Sequence, residues 1–225
     1  DDPRVTALIN HVRNDFNGGF IEGTIQWLAR GTKPGAIHPY MSSYTSMASL
    51  IQGNHEQVVE DFYWYLMHTS AANAFPEGIA YGRRFAWRQT IPHGTGASNY
   101  AYFLRHMLIH EEGDELHLLK AIPDWWMEDG QVIKIERAPT HFGIISLTLR
   151  GTKNGVKVEL DKPTRNAPEK IVLYLPESRP LEGSLKGVSI ISRNDQKQRF
   201  DFPTIVKRYK MCKRRRKNVT DTLSP

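Results

Sequence analysis

The chain has 225 residues, 40% of them hydrophobic and 24% charged, an ordinary globular composition long enough to bury a core in one large domain or two modest ones. Its net charge of +6 is local, because Lys207, Arg208, Lys210, Lys213, Arg214, Arg215, Arg216 and Lys217 crowd into one tail and the rest is close to neutral. No apolar run approaches the ~18–20 residues of a membrane span, no signal peptide is read at the start, and the lone Cys212 cannot close an intrachain disulfide.

Asp1-Asp2-Pro3-Arg4 lacks an initiator methionine, so the chain reads as a processed or excised piece. Val5, Leu8, Ile9 and Val12 recur at helical spacing behind Pro3, which predicts a helix over 3–15 ended by Gly18-Gly19. A second short helix is expected over 20–29, with Gly23 and the β-branched Ile21, Thr24 and Ile25 against it. Thr32-Lys33-Pro34-Gly35 reads as a turn. Helices over 40–52 and 55–69 are separated by Gly53-Asn54, a terminating glycine followed by a capping asparagine. So short a connection makes them an antiparallel hairpin. A further helix over 99–109 carries Tyr100, Phe103, Leu104, Met107 and Leu108 on its apolar side.

After Asp114 the hydrophobic period drops to two. Ile145/Leu147/Leu149, Val156/Val158/Leu160 and Ile171/Leu173/Leu175 alternate with polar residues, and 115–122, 132–137, 187–191 and 199–202 add candidate strands. Asn154-Gly155 between two such runs is the clearest hairpin signal. Helices followed by strands predict an α+β fold with two domains. The expected division is a helical unit over 1–113, an antiparallel β-sandwich over 114–206, and a basic tail over 207–225 that is disordered or binds a partner.

Three stretches have a familiar cast: Phe75-Pro76-Glu77-Gly78-Ile79, the helix running into Glu111-Glu112-Gly113-Asp114-Glu115-Leu116, and Ile122-Pro123-Asp124-Trp125-Trp126. With Ala138-Pro139-Thr140-His141-Phe142-Gly143 behind them, they resemble the end of the catalytic domain of bacterial six-hairpin glycosidases, the (α/α)6-toroid glycoside hydrolases, and most of all the α-L-rhamnosidase-like members. The resemblance implies a toroid of helical hairpins closed by a β-sandwich, a carbohydrate substrate, no cofactor, and an extracellular or periplasmic location. There is room for about five helices before Gly113, so it also implies the C-terminal portion of a longer enzyme, associated with the rest of that chain or with a second copy.

Glycosidic hydrolysis uses two carboxyl groups, one protonating the leaving oxygen and the other activating water or attacking carbon. Glu77, in a loop beside Pro76 and Gly78, is the catalytic candidate. The plainer reading is a loop carboxylate paired with Arg83 or Arg84. Asp15 and Glu22 are candidates for the second acid, and the resemblance allows that acid to lie upstream of Asp1. Trp27, Tyr81 and Trp87 offer faces for sugar rings, Tyr81 and Trp87 being the preferred ligand contacts, and Arg83, Arg84 and His93 complete the expected substrate-binding set. Trp64, Trp125 and Trp126 read as core.

No metal motif emerges. His55-Glu56-Gln57-Val58-Val59 lacks the second histidine of a zinc helix, and His106, His110 and His117 do not share a helical face with an acid. Gly94-Thr95-Gly96 has no accompanying lysine to make a phosphate loop, and Asn218-Val219-Thr220 is a common chance match to a glycosylation sequon. The leading expectation is therefore part of a glycoside hydrolase acting on a poly- or oligosaccharide. The alternatives are a non-catalytic carbohydrate-binding or scaffolding unit, a toroid polysaccharide lyase with a Tyr or His base, and nucleic-acid binding through the tail alone.

Overall fold

The computed structural model describes residues 2–27 and 35–193. The expected turn at Thr32-Lys33-Pro34, the strand over 199–202, Cys212, the sequon and the basic tail lie outside the described residues. The fold is α+β, with four α-helices and three sheets among the described residues.

Helix α1 (Pro3–Asn14) starts on Asp2, whose carboxylate accepts the Arg4 amide at 2.9 Å, with Pro3 in the first turn. The helix expected over 20–29 is instead, as far as residue 27, a hairpin of β1 (Phe20–Ile21) and β2 (Thr24–Trp27). Glu22 and Gly23 both hold positive φ, 50° and 65°, as the mirror-image two-residue turn requires, and the β-branched residues on either side favour extended backbone. These strands join β3 (Ala36–His38), β4 (Ile79–Ala80) and β5 (Phe85–Ala86) in a five-stranded antiparallel sheet.

Helices α2 (Pro39–Ile51) and α3 (His55–Met67) form the expected hairpin. Gly53, at φ 77°, ends α2: its amide bonds Leu50 O at 3.1 Å and the Asn54 amide bonds Ser49 O at 2.9 Å, the paired closure of a Schellman turn. Asn54 occupies the N-cap position of α3 but caps it with no side-chain hydrogen bond. The buried face of α2 is polar and small, carrying Ser42, Ser43, Ser46 and Ser49, each hydroxyl bonded to a carbonyl of the preceding turn. Its outer face carries Tyr44 and Ile51, 61% and 53% exposed.

Helix α4 (Gly94–Leu108) packs Phe103 and Met107 onto Leu50, Val58, Val59, Phe62 and Tyr65 to form the helical core. It passes without a loop into β6 (Ile109–Glu112), which pairs with β7 (Glu115–Leu118). Extended backbone thus begins at Ile109, and Gly113, the expected boundary, is the turn of a hairpin whose two strands share one sheet.

Strands β8 (Val132–Thr140), β9 (Gly143–Gly151) and β10 (Val156–Asp161) make a three-stranded antiparallel sheet, with Asn154-Gly155 in the β9–β10 turn as expected. The other sheet has the order β12-β11-β7-β6, where β11 (Lys170–Pro176) runs parallel to both β7 and β12 (Ser189–Arg193). The antiparallel expectation therefore holds for the first sheet and not for these two pairings. A second core of Leu116, Leu118, Ile133, Ile145, Leu147, Leu149, Ile171 and Leu173 lies between the two sheets. Trp126 packs against both cores and donates its indole N–H to the Tyr63 hydroxyl at 3.0 Å. No helix of the described residues is long and apolar enough to cross a membrane.

Candidate functional site

Glu77 sits between Pro76 and the start of β4, in a loop fastened by main-chain bonds to the segment that follows β5. The Glu77 amide bonds Thr90 O at 3.1 Å, the Trp87 amide bonds Gly78 O at 2.8 Å, and the His93 amide bonds Phe75 O at 2.8 Å. Trp87 and His93, ten or more residues on, are thereby brought beside Glu77. The connecting stretch is unusual: Arg84, Arg88 and Gln89 all hold positive φ, 57°, 49° and 60°. Such conformations cost non-glycine residues of order 1–3 kcal/mol each and persist where surrounding structure enforces them.

Beneath Glu77-Gly78 lies His38, the last residue of β3 and the N-cap of α2. A Cβ at Gly78 would fall 2.7 Å from His38 Cε1 and 2.9 Å from Nε2, so only glycine allows this approach. His38 is 4% exposed and both ring nitrogens are shielded from solvent, with the Glu77 backbone as the hydrogen-bonding neighbour. Its ring is met edge-on by Trp27 at 5.7 Å and by Tyr40 at 6.2 Å, and Tyr40 in turn meets His93 at 5.1 Å. His93 Nδ1 accepts the Gly96 amide at 3.1 Å, capping α4, which leaves its ring proton on Nε2.

The electrostatics centre on Glu77. It has no ion-pair partner among the described residues and is half-buried. Burial holds the His38 imidazole below its ordinary value, with the Glu77 charge and backbone pulling the other way and His93 reinforcing burial. Burial raises the Tyr40 phenol, and the Glu77 charge and Tyr44 add to the rise. The cluster is therefore one lone carboxylate among neutral donors and aromatic faces.

The other expected residues are placed differently. Arg84 donates to both Glu22 oxygens, at 2.6 and 2.5 Å, and its guanidinium lies 5.1 Å from the Tyr81 ring centre. It thus ties the hairpin over β4 and β5 to the β1–β2 turn, and does not neutralise Glu77. His68 Nε2 lies 2.9 Å from Glu22 O and holds that turn from the other side. Arg88 lies over the Trp87 ring at 5.9 Å, and Arg83 is exposed with no ion pair among the described residues. Asp15 sits 3.3 Å from His11 on the exposed end of α1, so neither candidate second acid is committed to Glu77. Trp64 stacks on His68 and packs against Gly23, whereas Trp125 and Trp126 join the helical core.

Sequence reasoning missed His38 and Tyr40. The signal was a strand ending in His38-Pro39-Tyr40, where proline starts a helix and fixes the preceding side chain at a strand end. Among the described residues no three His, Cys, Asp or Glu side chains are grouped so that they could hold a metal ion. No family model matches the chain, and neither the characterised proteins nor the solved structures compared with it give a match.

Proposed function

We propose that the chain is part of a carbohydrate-active protein, a glycoside hydrolase whose Glu77 works as general acid/base or as the group that orients the substrate. The observation that carries this reading is the isolation of Glu77: a half-buried carboxylate with no ion-pair partner among the described residues, its charge acting on His38 and Tyr40, which Trp27 and His93 meet in turn. Aromatic faces suit the C–H side of a sugar ring, and neutral donors suit its hydroxyls. The α2–α3 hairpin is read as one repeat of a helical toroid. Apolar side chains facing outward support this, since Tyr44 and Ile51 on α2 and Val5 and Leu8 on α1 are positions a neighbouring hairpin would cover. A unit of helices with a small five-stranded sheet ahead of the β-hairpin at Gly113, and a sandwich after it, are consistent with the same reading.

Glu77→Gln tests it. Against a panel of aryl glycosides and oligosaccharides, turnover is expected to fall by about 10²–10⁴-fold with binding kept. Turnover near that of the wild type removes Glu77 from the chemistry. One observation favours a second reading, a non-catalytic carbohydrate-binding unit: Glu22 is engaged by Arg84, and Asp15 lies beside His11. Saturable sugar binding by the wild type without any product supports that unit, and a product with new ultraviolet absorbance points to lyase chemistry.

A further inference from the structure

His38 stands outside the acid/base role given to Glu77, yet the fold goes to some length to keep it in place. It is buried between β2, α2 and the Glu77-Gly78 peptide, and Gly78 gives up its side chain to admit the ring. Both of its nitrogens are shielded from solvent, and the Glu77 backbone is the hydrogen-bonding neighbour. The groups facing it are Glu77 from the loop before β4, His93 from the loop before α4, Tyr40 from α2 and Trp27 from β2. Glu77 is the only one of these that carries a negative charge near neutrality.

We propose that His38 is a positioning residue for Glu77, a proton-gated anchor that leaves the carboxylate facing the ligand when neutral and draws it inward when protonated. This rests on the reading of Glu77 as the working group of a carbohydrate site. Neutral, the buried ring offers the carboxylate no charge to pair with, so Glu77 gains most by turning toward water or a polar ligand. Protonated, the imidazolium sits in low dielectric with one available counter-charge, and the attraction between opposite charges at short range in such surroundings outweighs an exposed hydrogen bond. Burial keeps the neutral form dominant near neutrality, so the site is open there and closes on acidification. The coupling is reciprocal: the charge that helps His38 take a proton is the charge it then captures.

The first test needs no substrate. Imidazole nitrogens of His38 are followed by ¹H–¹⁵N NMR through a pH titration in the wild type and in Glu77→Gln. Removing the carboxylate is expected to move the His38 midpoint to lower pH by about half a unit or more. Identical midpoints overturn the proposal. The second test compares pH profiles of kcat/KM, or of oligosaccharide affinity if no turnover is found, for the wild type and His38→Gln. The acid limb of the wild type is expected to follow the His38 midpoint and to be displaced toward lower pH in His38→Gln, whatever the height of the plateau. An unchanged acid limb overturns the proposal even if His38→Gln is less stable. A wild-type protein that neither binds nor cleaves any glycan removes the functional reading, and the NMR comparison still decides the coupling.

Discussion

The Nδ1 atoms of His106 and His110 face one another at 3.1 Å where α4 runs into β6. A hydrogen bond there needs one nitrogen with a proton and one without, so it cannot survive protonation of both rings. His110 is paired across the hairpin with His117, whose Nδ1 meets the Tyr174 hydroxyl at 2.8 Å. Lys120, 4% exposed, donates to Glu112 at 2.9 Å in the same cluster. This polar knot joins the helical layer to the four-stranded sheet.

Its pH response has a definite sign. Burial, followed by Lys120 and His106, pushes His110 down to about 4 against the opposing charge of Glu112. Burial also lowers His106, with Arg105 adding to it, and lowers His117, with Lys120 and Lys170 adding and Glu112 and Glu115 opposing. An unfolded chain binds protons near pH 6.5 that the folded one refuses, so stability is full above that pH and declines as the pH falls toward about 4. His110 alone accounts for on the order of 3 kcal/mol over that window. Urea melts at neutral pH and near pH 4 should show the loss, and His110→Gln should show markedly less of it. Equal losses in the two proteins would reject the assignment.

A buried charge pair makes a second prediction. Asp61, 3% exposed on α3, accepts from the Arg13 guanidinium, from Ser46 at 2.5 Å and from Gln57 at 3.1 Å. Asp61→Ala strands Arg13 and should destabilise the protein by about 3–5 kcal/mol. The double change Arg13→Met with Asp61→Leu should recover most of that, as measured by chemical denaturation. A double variant as unstable as Asp61→Ala would mean that the individual hydrogen bonds, and not the unpaired charge, set the cost.

Gly78 and Gly82 give a matched pair near the site. A methyl at Gly78 meets the His38 ring at 2.7 Å, whereas one at Gly82 meets nothing within 4 Å. Gly78→Ala should therefore cost about 1–3 kcal/mol, and Gly82→Ala should stay within about 0.5 kcal/mol of the wild type. Thermal unfolding of both variants decides the matter, and similar melting temperatures would contradict the close approach.

The two neighbouring arginines should separate by role. Arg84 is held by Glu22 at a partly exposed site, so Arg84→Ala should lower stability by at most about 1 kcal/mol and change glycan affinity by less than about threefold. Arg83 has no such tie among the described residues, and on the proposed reading Arg83→Ala should weaken binding of an oligosaccharide by about tenfold. Titration calorimetry with both variants distinguishes them, and equal effects on affinity would remove the distinction.

Where chemistry is local, residues and structure agree. Gly53 had to end a helix because its positive φ suits no neighbour as well, and Asn154-Gly155 had to turn a hairpin. The stretch 20–27 shows the limit of that reasoning: the Glu22-Gly23 turn sits against Trp64 of α3, where a Cβ at Gly23 would fall 2.4 Å from that side chain. A propensity summed along the chain does not record that contact.

The sequence by itself determined the α2–α3 hairpin and the alternation that builds the β8–β10 sheet, but not the five short strands that the structure sets among the helices before Gly113. The hairpin and the alternation depend on backbone preferences and on a hydrophobic period read over a few residues. Only the tertiary structure decided that β11 runs parallel to its neighbours, that Arg84 belongs to Glu22, and that His38 and Tyr40 lie with Glu77 and His93. Those outcomes join residues tens of positions apart. They are set by competition for buried space and for counter-charges, and no local pattern records which partner wins.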